Sequence, residues 1–365
     1  MSSGGRDPAD SHLGYAMRSN RLVVTRQQGT AEKGWVMRSS LVGLIVLTAL
    51  LAIAPAADAQ SPPVLPGTQG DFAGLVDIGG RKLYLECRGR GNPTVILVAG
   101  KDSSARIWTD DLLPANPPRT MVFPTIATTT RVCAYDRPGT YAFIGQEGFI
   151  SRSDPVAQPT TAMARVADLH ALLRAAGVPG PYVLAGHSLG GFVARMYAST
   201  YPDEVIGLVV IDAYSEFLEP IFGPERWPRL VRLNASNKEV KSLLGYGDGE
   251  AWAFGEENDA MRRLTAASPL RPMPLAVLAH KVPFTIPADP ALSQGFTSEE
   301  IEPLLFAANQ AQAMLVPNAR FFVASRSGHD IHQDQPALVA EAIRQVVAGV
   351  RSPDTWDELA ACCRP

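Results

Sequence analysis

The feature that most constrains the fold of this sequence is an alternation of short β-rich runs with helical segments, which begins near residue 72. Two of the runs, 94–99 and 207–211, are continuously apolar, which is typical of parallel strands covered on both faces. Residues 161–176 instead carry apolar side chains at spacings of three and four before Gly177, and this pattern predicts an amphipathic helix. The predicted strands are 81–87, 94–99, 131–135, 182–185, 207–211, 274–279 and 319–324. The alternation predicts an α/β fold with a mostly parallel central sheet and helices on both faces.

One interval interrupts the alternation. Over residues 215–272 no strand-like run occurs, and aromatic and aliphatic residues recur there among charges and turn residues. A segment of this length is near the lower limit for a domain with its own core. We therefore interpret it as a short helical cap at about 215–272, inserted into a single domain over 72–350 and covering the carboxyl edge of the sheet. Residues 351–365 form a C-terminal tail.

The residues that precede the domain have the order of a targeting segment. Residues 1–36 are polar and rich in Gly and Ser, and we interpret them as disordered or as an extension upstream of the true start. Residues 37–59 then resemble a secretory signal peptide, with an uncharged apolar run at 41–57 and an Ala-Asp-Ala cleavage site before Gln60. We expect an exported protein, periplasmic or secreted, with residues 60–71 as a linker. The alternative is a membrane anchor formed by 41–57.

Charge and cysteine content narrow the function classes. The net charge of −3 provides no overall positive field for a nucleic acid, so no nucleic-acid partner is expected. The sequence contains no metal-ligand cluster and no Gly-rich phosphate loop, so no metal and no cofactor are predicted. Cys87 and Cys133 lie in apolar, strand-like runs and are interpreted as buried small apolar side chains. Cys362 and Cys363 lie in the tail, where export would permit their oxidation.

The residues that carry chemistry lie in the segment Gly186-His187-Ser188-Leu189-Gly190-Gly191. It follows the predicted strand 182–185 and precedes a helical run at 192–199. A Gly-x-Ser-x-Gly pattern between a strand and a helix is typical of a sharp turn that exposes the serine hydroxyl at the edge of the sheet. In this context a reactive serine is favoured over a glycine-rich turn with no chemistry.

With this segment, the sequence resembles the α/β-hydrolase superfamily over essentially all of residues 72–350. The resemblance also rests on Val98-Ala99-Gly100-Lys101 after a buried strand, on Tyr135-Asp136-Arg137-Pro138-Gly139, and on Ser327-Gly328-His329 before the final helix. It implies the α/β-hydrolase fold, but it does not point to a particular substrate family.

The resemblance also implies roles for individual residues. Ser188 takes the place of the nucleophile and His329 that of its base, with His332 as the alternative base. The backbone N–H groups of Lys101 and Leu189 take the place of the oxyanion hole.

The acid that orients the base is left open between two residues. The superfamily usually carries it after the strand predicted at 274–279, where the first carboxylate is Asp289. Asp212 lies directly after the run 207–211, where some branches of the superfamily place the acid. We expect Asp212 to be the acid, with Asp289 as the alternative.

The expected function is that of an exported serine hydrolase that cleaves a carboxylic ester or a related acyl bond of a small molecule. It would use a Ser-His-Asp triad and an acyl-enzyme. The alternative is a non-catalytic α/β-hydrolase module used for binding, although such modules usually lack the Ser or the His. A membrane is a partner only if residues 41–57 remain uncleaved.

Overall fold

The structure is a computed structural model, and it describes residues 70–113, 117–144, 147–235 and 250–356. The predicted extension, the signal segment and most of the linker lie outside the described residues, as do Cys362 and Cys363. The strands are β1 (Phe72–Asp77), β2 (Lys82–Arg88), β3 (Thr94–Val98), β4 (Val132–Tyr135), β5 (Tyr141–Ile144), β6 (Glu147–Ile150), β7 (Tyr182–His187), β8 (Val205–Ile211), β9 (Leu275–His280) and β10 (Arg320–Ala324). The helices are α1 (Arg106–Thr109), α2 (Val122–Ala127), α3 (Ala162–Ala176), α4 (Leu189–Thr200), α5 (Leu218–Ala235), α6 (Phe254–Ala267), α7 (Pro290–Ser293), α8 (Ser298–Ala313), α9 (Ile331–Asp334) and α10 (Pro336–Arg351).

In the described part of the chain, eight strands form one sheet in the order β1-β2-β4-β3-β7-β8-β9-β10. The pairs β1–β2 and β2–β4 are antiparallel, and the remaining pairs are parallel. Strands β5 and β6 form a separate antiparallel hairpin. Each predicted strand is present and ends within two residues of its predicted end. The predicted mostly parallel α/β fold is thus confirmed.

The central strands are buried on both faces, as their continuous apolar character predicts. In β3, Ile96 and Val98 pack into a cluster with α3, α4 and α6, whereas Val95 and Leu97 pack into a second cluster with α1, α2 and α10. Successive side chains of a strand point to opposite faces, so one strand serves both clusters. The core therefore consists of two apolar layers, one on each face of the sheet.

The sequence analysis missed the edge strand β1 and the β5–β6 hairpin. Along β1, exposed and half-buried residues alternate and only Val76 is buried. An edge strand of this kind has no continuous apolar run, which is the pattern used to predict the central strands.

A cap lies at the carboxyl edge of the sheet, where the parallel strands end. Within 215–272 the described residues form α5 and α6 and contain no strand, and α5 is kinked at Gly223, which has φ +72°. Helix α8 was not predicted, and it packs against α5 through a third apolar cluster. The cluster comprises Leu218, Phe222, Trp227, Leu230, Phe296, Ile301 and Ala308. The cap therefore extends beyond the predicted interval and includes α8.

Cys87 and Cys133 form a disulfide, so their interpretation as merely buried apolar side chains was wrong. Both are fully buried, as expected. They lie directly opposite each other on the antiparallel strands β2 and β4. The sequence shows each cysteine in an apolar run, but it does not show that these two strands are neighbours, because β3 lies between them along the chain.

None of the helices in the described ranges has the combination of length and apolar character that is needed to cross a bilayer.

Candidate active site

Ser188 lies in the turn between β7 and α4, with the uncommon backbone angles φ +53° and ψ −124°. The flanking glycines permit this turn. A Cβ atom on Gly186 would collide with the carbonyl oxygen of Gly190, and one on Gly190 would collide with the carbonyl oxygen of Val98. The close approach of these backbones holds Ser188 in a strained conformation, half-buried and lining a cavity.

Two backbone N–H groups next to Ser188 are available as donors. Leu189 begins α4, so its N–H has no partner within the helix. Lys101 follows Gly100, and a Cβ on Gly100 would lie 3.2 Å from the Cβ of Ser188. Neither N–H donates a backbone hydrogen bond to another of the described residues. The ammonium of Lys101 forms an ion pair with Asp102.

His329 lies in the loop between β10 and α9 and contacts Asp212. Its Nδ1 is 2.6 Å from Oδ2 of Asp212, which lies at the end of β8 and is 5% exposed. Because a carboxylate only accepts hydrogen bonds, Nδ1 carries the proton and Nε2 is left as an acceptor. Ser188, Asp212 and His329 all line the same cavity. The structure thus brings the predicted nucleophile, base and acid together.

The charges of this pair are set by competition between burial and hydrogen bonding. Burial of His329 works against protonation, but the hydrogen bond to Asp212 and the negative charges of Asp212 and Asp330 together outweigh it and raise the pKa of His329. Burial also disfavours a charge on Asp212, yet hydrogen bonds from His280 and His329 hold the pKa of this carboxyl below its usual value. Asp212 is therefore ionised at neutral pH and stabilises a protonated His329.

The two alternative residues lie away from the cavity. Asp289 is exposed, and its carboxylate accepts a hydrogen bond from the N–H of Ala291 at 2.8 Å, which caps α7. His332 is 1% exposed and packs with its ring centre 5.0 Å from that of Trp108. Neither side chain lines the cavity that contains Ser188.

Sequence reasoning missed three residues around Asp212. His280, which has no motif around it, ends β9, and its Nδ1 lies 2.7 Å from Oδ2 of Asp212. Nε2 of His280 lies 2.8 Å from Oε2 of Glu302, and Nδ2 of Asn309 donates to Oδ1 of Asp212 at 2.9 Å. The signal for His280 was its position at the carboxyl end of a predicted strand. Glu302 and Asn309 had no signal, because α8 was not predicted.

His187 connects the Ser188 turn to the loop of the base. Burial lowers the pKa of His187 to about 3, so its ring is neutral at physiological pH. Its Nε2 lies 2.9 Å from the carbonyl oxygen of His329 and therefore donates the hydrogen bond. This contact holds the loop of the base against the turn that carries Ser188.

The cavity has a volume of about 350 Å³ and a mainly apolar lining. No lysine or arginine occurs among the described residues that line it. Most of the apolar lining comes from α5, α6, α8 and the segment after β9, and this part comprises Leu218, Leu230, Leu233, Phe254, Phe284, Ile286, Pro287, Ile301, Leu305 and Ala308. The cavity therefore suits an uncharged, apolar group next to Ser188.

Among the residues that the structure describes, two groups of side chains contain imidazole and carboxylate atoms of the kind that bind metals. Their ligand atoms lie within 4.8 Å of one another, and the groups are Asp212 with His280 and His329, and His187 with Asp330 and His332. In the first group the ligand atoms already form hydrogen bonds with each other. In the second group one nitrogen of His187 is engaged by a backbone carbonyl, and Asp330 is exposed. The first arrangement suits proton transfer better than ion binding.

Three features together are typical of an α/β hydrolase: the order of the strands in the sheet, the strained turn at Ser188, and the hydrogen-bonded pair His329–Asp212. A profile of the Alpha/beta hydrolase family matches residues 91–342. The chain therefore belongs to the alpha/beta hydrolase family, and hydrolysis is the class of reaction that this membership supports.

Three individual proteins illustrate the degree of similarity. An AB hydrolase superfamily protein of Gibberella zeae is 24% identical over 320 residues, which cover 74% of this chain and 92% of that protein. A probable transporter of Hormonema carpetanum is 28% identical over 179 residues, which cover 47% of this chain but 23% of that protein, so the chain matches only about a quarter of its length. The solved structure of Cfl2 from Burkholderia cenocepacia covers 77% of this chain and 97% of its own, with 19% identity and a TM-score of 0.51. This likeness concerns the fold.

Proposed function

We propose that the protein is a serine hydrolase that cleaves a carboxylic ester or a related acyl bond through an acyl-enzyme. The observation that carries this proposal is the 2.6 Å hydrogen bond between His329 and Asp212 in the cavity lined by Ser188. It leaves Nε2 of His329 as the nitrogen that accepts the proton of the serine hydroxyl. A serine hydroxyl needs such a base because it is a weak nucleophile while protonated.

The reaction would take place in two halves. Oγ of Ser188 attacks the acyl carbon, its proton passes to Nε2 of His329, and Asp212 stabilises the resulting imidazolium. The N–H groups of Leu189 and Lys101 bind the negatively charged oxygen of the tetrahedral intermediate. His329 then gives its proton to the leaving alcohol. In the second half His329 takes a proton from water, which attacks the acyl carbon of the acyl-enzyme. His329 then gives this proton to Oγ of Ser188, so that the acid is released and Ser188 and His329 return to their starting states.

The cavity supports an uncharged substrate with an apolar acyl or alcohol part. Its volume of about 350 Å³ lies near the lower end of the range of small-molecule pockets, roughly 300–1,000 Å³. Its lining offers apolar side chains to the substrate and, among the described residues, no lysine or arginine, and both ring nitrogens of His280 are already engaged by carboxylates. A substrate with an anionic tail would therefore lose hydration without gaining an ion pair.

The experiment that tests this function is labelling of the folded protein with a fluorophosphonate, together with turnover of p-nitrophenyl butyrate. The wild type should be labelled, and Ser188→Ala should lose the label and several orders of magnitude of turnover while it remains folded. Ser268→Ala is the matched control, because Ser268 does not line the cavity. Absence of label on the folded wild type, or retention of the label by Ser188→Ala, would contradict the proposal and favour the non-catalytic binding module.

We also propose that the protein is exported. The signal-like order of residues 37–59 and the disulfide Cys87–Cys133 support this, because disulfides persist in oxidising compartments. Mature protein from the exporting cell should begin at or near Gln60 when its N-terminus is sequenced. Recovery of the intact N-terminus from the membrane fraction would favour the anchor formed by 41–57.

A further inference from the structure

His280 bridges two carboxylates next to the proposed triad. Its Nδ1 lies 2.7 Å from Oδ2 of Asp212, and its Nε2 lies 2.8 Å from Oε2 of Glu302. A carboxylate accepts hydrogen bonds and does not donate them, so each of these contacts requires a proton on the ring nitrogen. With both carboxylates ionised, the ring carries two protons and a positive charge.

Glu302, one of the two carboxylates beside this ring, is held in place by a further contact. Oε1 of Glu302 accepts a hydrogen bond from the N–H of Phe284 at 2.6 Å, so both of its oxygens are engaged. Burial of His280 works against its charge, but the hydrogen bonds to Asp212 and Glu302 outweigh it and raise the pKa of His280 to about 10. The imidazolium is thus the form expected at neutral pH.

Asp212 divides its two oxygens between different partners. Oδ2 accepts hydrogen bonds from both His329 and His280, at 2.6 and 2.7 Å. Oδ1 accepts from Nδ2 of Asn309 at 2.9 Å and from the N–H of His280 at 3.3 Å. Both oxygens of the acid are therefore engaged, and His280 contributes two of the four hydrogen bonds.

The charge of Glu302 compensates for the positive charge of His280. A cation bound to Asp212 alone would offset the negative charge that stabilises a protonated His329. Glu302 restores this charge, because Glu302, His280 and Asp212 together carry one net negative charge, as a single carboxylate does. Glu302 and Asn309 are seven residues apart on α8, which places them on the same face of the helix.

We propose that His280 and Glu302 are positioning residues that hold Asp212 towards His329 and keep one net negative charge behind the base. This inference rests on the proposed serine hydrolase function and deepens it. It also makes α8 part of both the cavity and the support of the acid, because Ile301, Leu305 and Ala308 of the same helix line the cavity. Displacement of α8 would therefore change substrate binding and the basicity of His329 together.

Two variants test the charge arrangement through His329. The titratable groups that face His280 and His329 are Asp212 after β8, Glu302 from α8, Asp330 beside His329, His332 from α9, and His187 from the Ser188 turn. His280→Gln removes a cation, so the pKa of His329 should rise. Glu302→Gln removes an anion, so this pKa should fall. We expect shifts of about half a unit or more in opposite directions.

The primary readout is the titration of His329 followed by ¹H–¹⁵N NMR, because it does not require turnover. The acid limb of the pH profile of kcat/KM for p-nitrophenyl butyrate should move in the same directions as this titration. In His280→Gln, kcat should fall between about tenfold and a hundredfold with little change in KM, because the acid is no longer held in place. His170→Gln is the matched control, since His170 also contacts a carboxylate, that of Glu204, but does not line the cavity.

The outcomes separate this inference from the proposed function. Shifts in the same direction, or no shifts, in folded variants would overturn the positioning role even if the wild type hydrolyses esters. Failure of the wild type to react with a fluorophosphonate would contradict the hydrolase function, while the NMR titration would still test the charge arrangement. If His280→Gln does not fold, the nitrogen chemical shifts of His280 in the wild type show whether its ring is charged. Protons on both nitrogens at pH 7 support the inference, and a neutral ring overturns it.

Discussion

The guanidinium of Arg137 and the carboxylate of Glu250 form a two-point ion pair inside the protein, with nitrogen–oxygen distances of 2.8 and 3.0 Å. Burial disfavours the charge on Glu250, but Arg137 outweighs this effect and the pKa of Glu250 is lowered to about 2. Oε2 of Glu250 also accepts a hydrogen bond from the N–H of Asp102 at 2.9 Å. The pair is therefore charged at neutral pH and tied to the chain near the proposed oxyanion hole.

The guanidinium of Arg137 also binds the backbone that precedes Lys101. Arg137 donates to the carbonyl oxygens of Ala99 and Gly100 at 2.7 and 2.6 Å. These contacts and the one to Asp102 lie on either side of Lys101, whose N–H we propose as an oxyanion donor. An oxyanion hole depends on donors that are held in place before the reaction begins.

The first prediction concerns Glu250→Gln, which keeps the shape of the side chain but removes its charge. It should lower kcat for p-nitrophenyl butyrate by about tenfold or more with little change in KM, because the oxyanion forms only in the transition state. The free energy of unfolding should fall by about 3–5 kcal/mol, because buried Arg137 and Arg165 both lose an ion-pair partner. Steady-state kinetics and urea unfolding measure the two effects.

The control is Glu341→Gln, which removes the surface ion pair between Glu341 and Arg344 and should change neither quantity measurably. A loss of stability in Glu250→Gln with unchanged kcat would show that the pair stabilises the fold without supporting the oxyanion hole.

The second prediction separates the two candidate acids. Asp212→Asn should lower kcat by about 10³- to 10⁴-fold with little change in KM, because the amide no longer holds His329 in the required tautomer. Asp289→Asn should lower it by less than about tenfold, because Asp289 is exposed and caps α7. The two folded variants are compared in the same assay. The reverse ranking would identify Asp289 as the acid.

The sequence predicts the parts of this site that depend on local pattern. The buried strands are continuous apolar runs, and the turn at Ser188 needs small residues at fixed spacings, so both are visible without knowledge of the fold. Asp212 and His280 directly follow the predicted strands 207–211 and 274–279, although the sequence indicates a role in the site only for Asp212. Parallel strands that lie side by side bring such ends together, as they do for β8 and β9 here.

The partners supplied by distant segments could not be predicted in this way. Glu302 meets His280 only because α8 packs against α5 within the cap, and Glu250 meets Arg137 across 113 positions of the chain. Periodicity describes which face of an element is buried, but not which charged groups face each other after folding. The disulfide Cys87–Cys133 was missed for the same reason, since it depends on the order of the strands in the sheet.

The third prediction concerns that disulfide. The double variant Cys87→Ala, Cys133→Ala should lower the free energy of unfolding by about 4 kcal/mol, because the bond closes a loop with a sequence separation of 46 and restricts the unfolded chain. Turnover at 25 °C should be unchanged, because neither cysteine lines the cavity. Urea unfolding with and without dithiothreitol provides the measurement. Equal stability of the variant and the oxidised wild type would mean that the bond does not form or does not stabilise the fold.

The last prediction concerns the dependence of stability on pH. Burial lowers the pKa of His187 to about 3 and that of His332 well below 6.5. Just below pH 6.5 both rings therefore stay neutral in the folded protein, whereas the same histidines bind protons in the unfolded chain. Stability should therefore decrease as the pH falls below about 6.5, by up to about 1.4 kcal/mol per pH unit for each ring. His280 has the opposite sign. Its pKa is raised to about 10, so its contribution is complete below about 6.5 and is lost as the pH rises from there to about 10.

The free energy of unfolding in urea should thus pass through a maximum near pH 6.5. His332→Phe removes one of the buried titrating rings from a site next to Trp108, where an aromatic side chain can be accommodated. Below about pH 6.5 it should reduce the slope of the free energy of unfolding against pH by the contribution of about one proton. Above about pH 6.5 the slope should be unchanged, because His280 is untouched. An acid side as steep as that of the wild type would show that His332 takes up its proton in the folded protein and that its burial does not control acid stability.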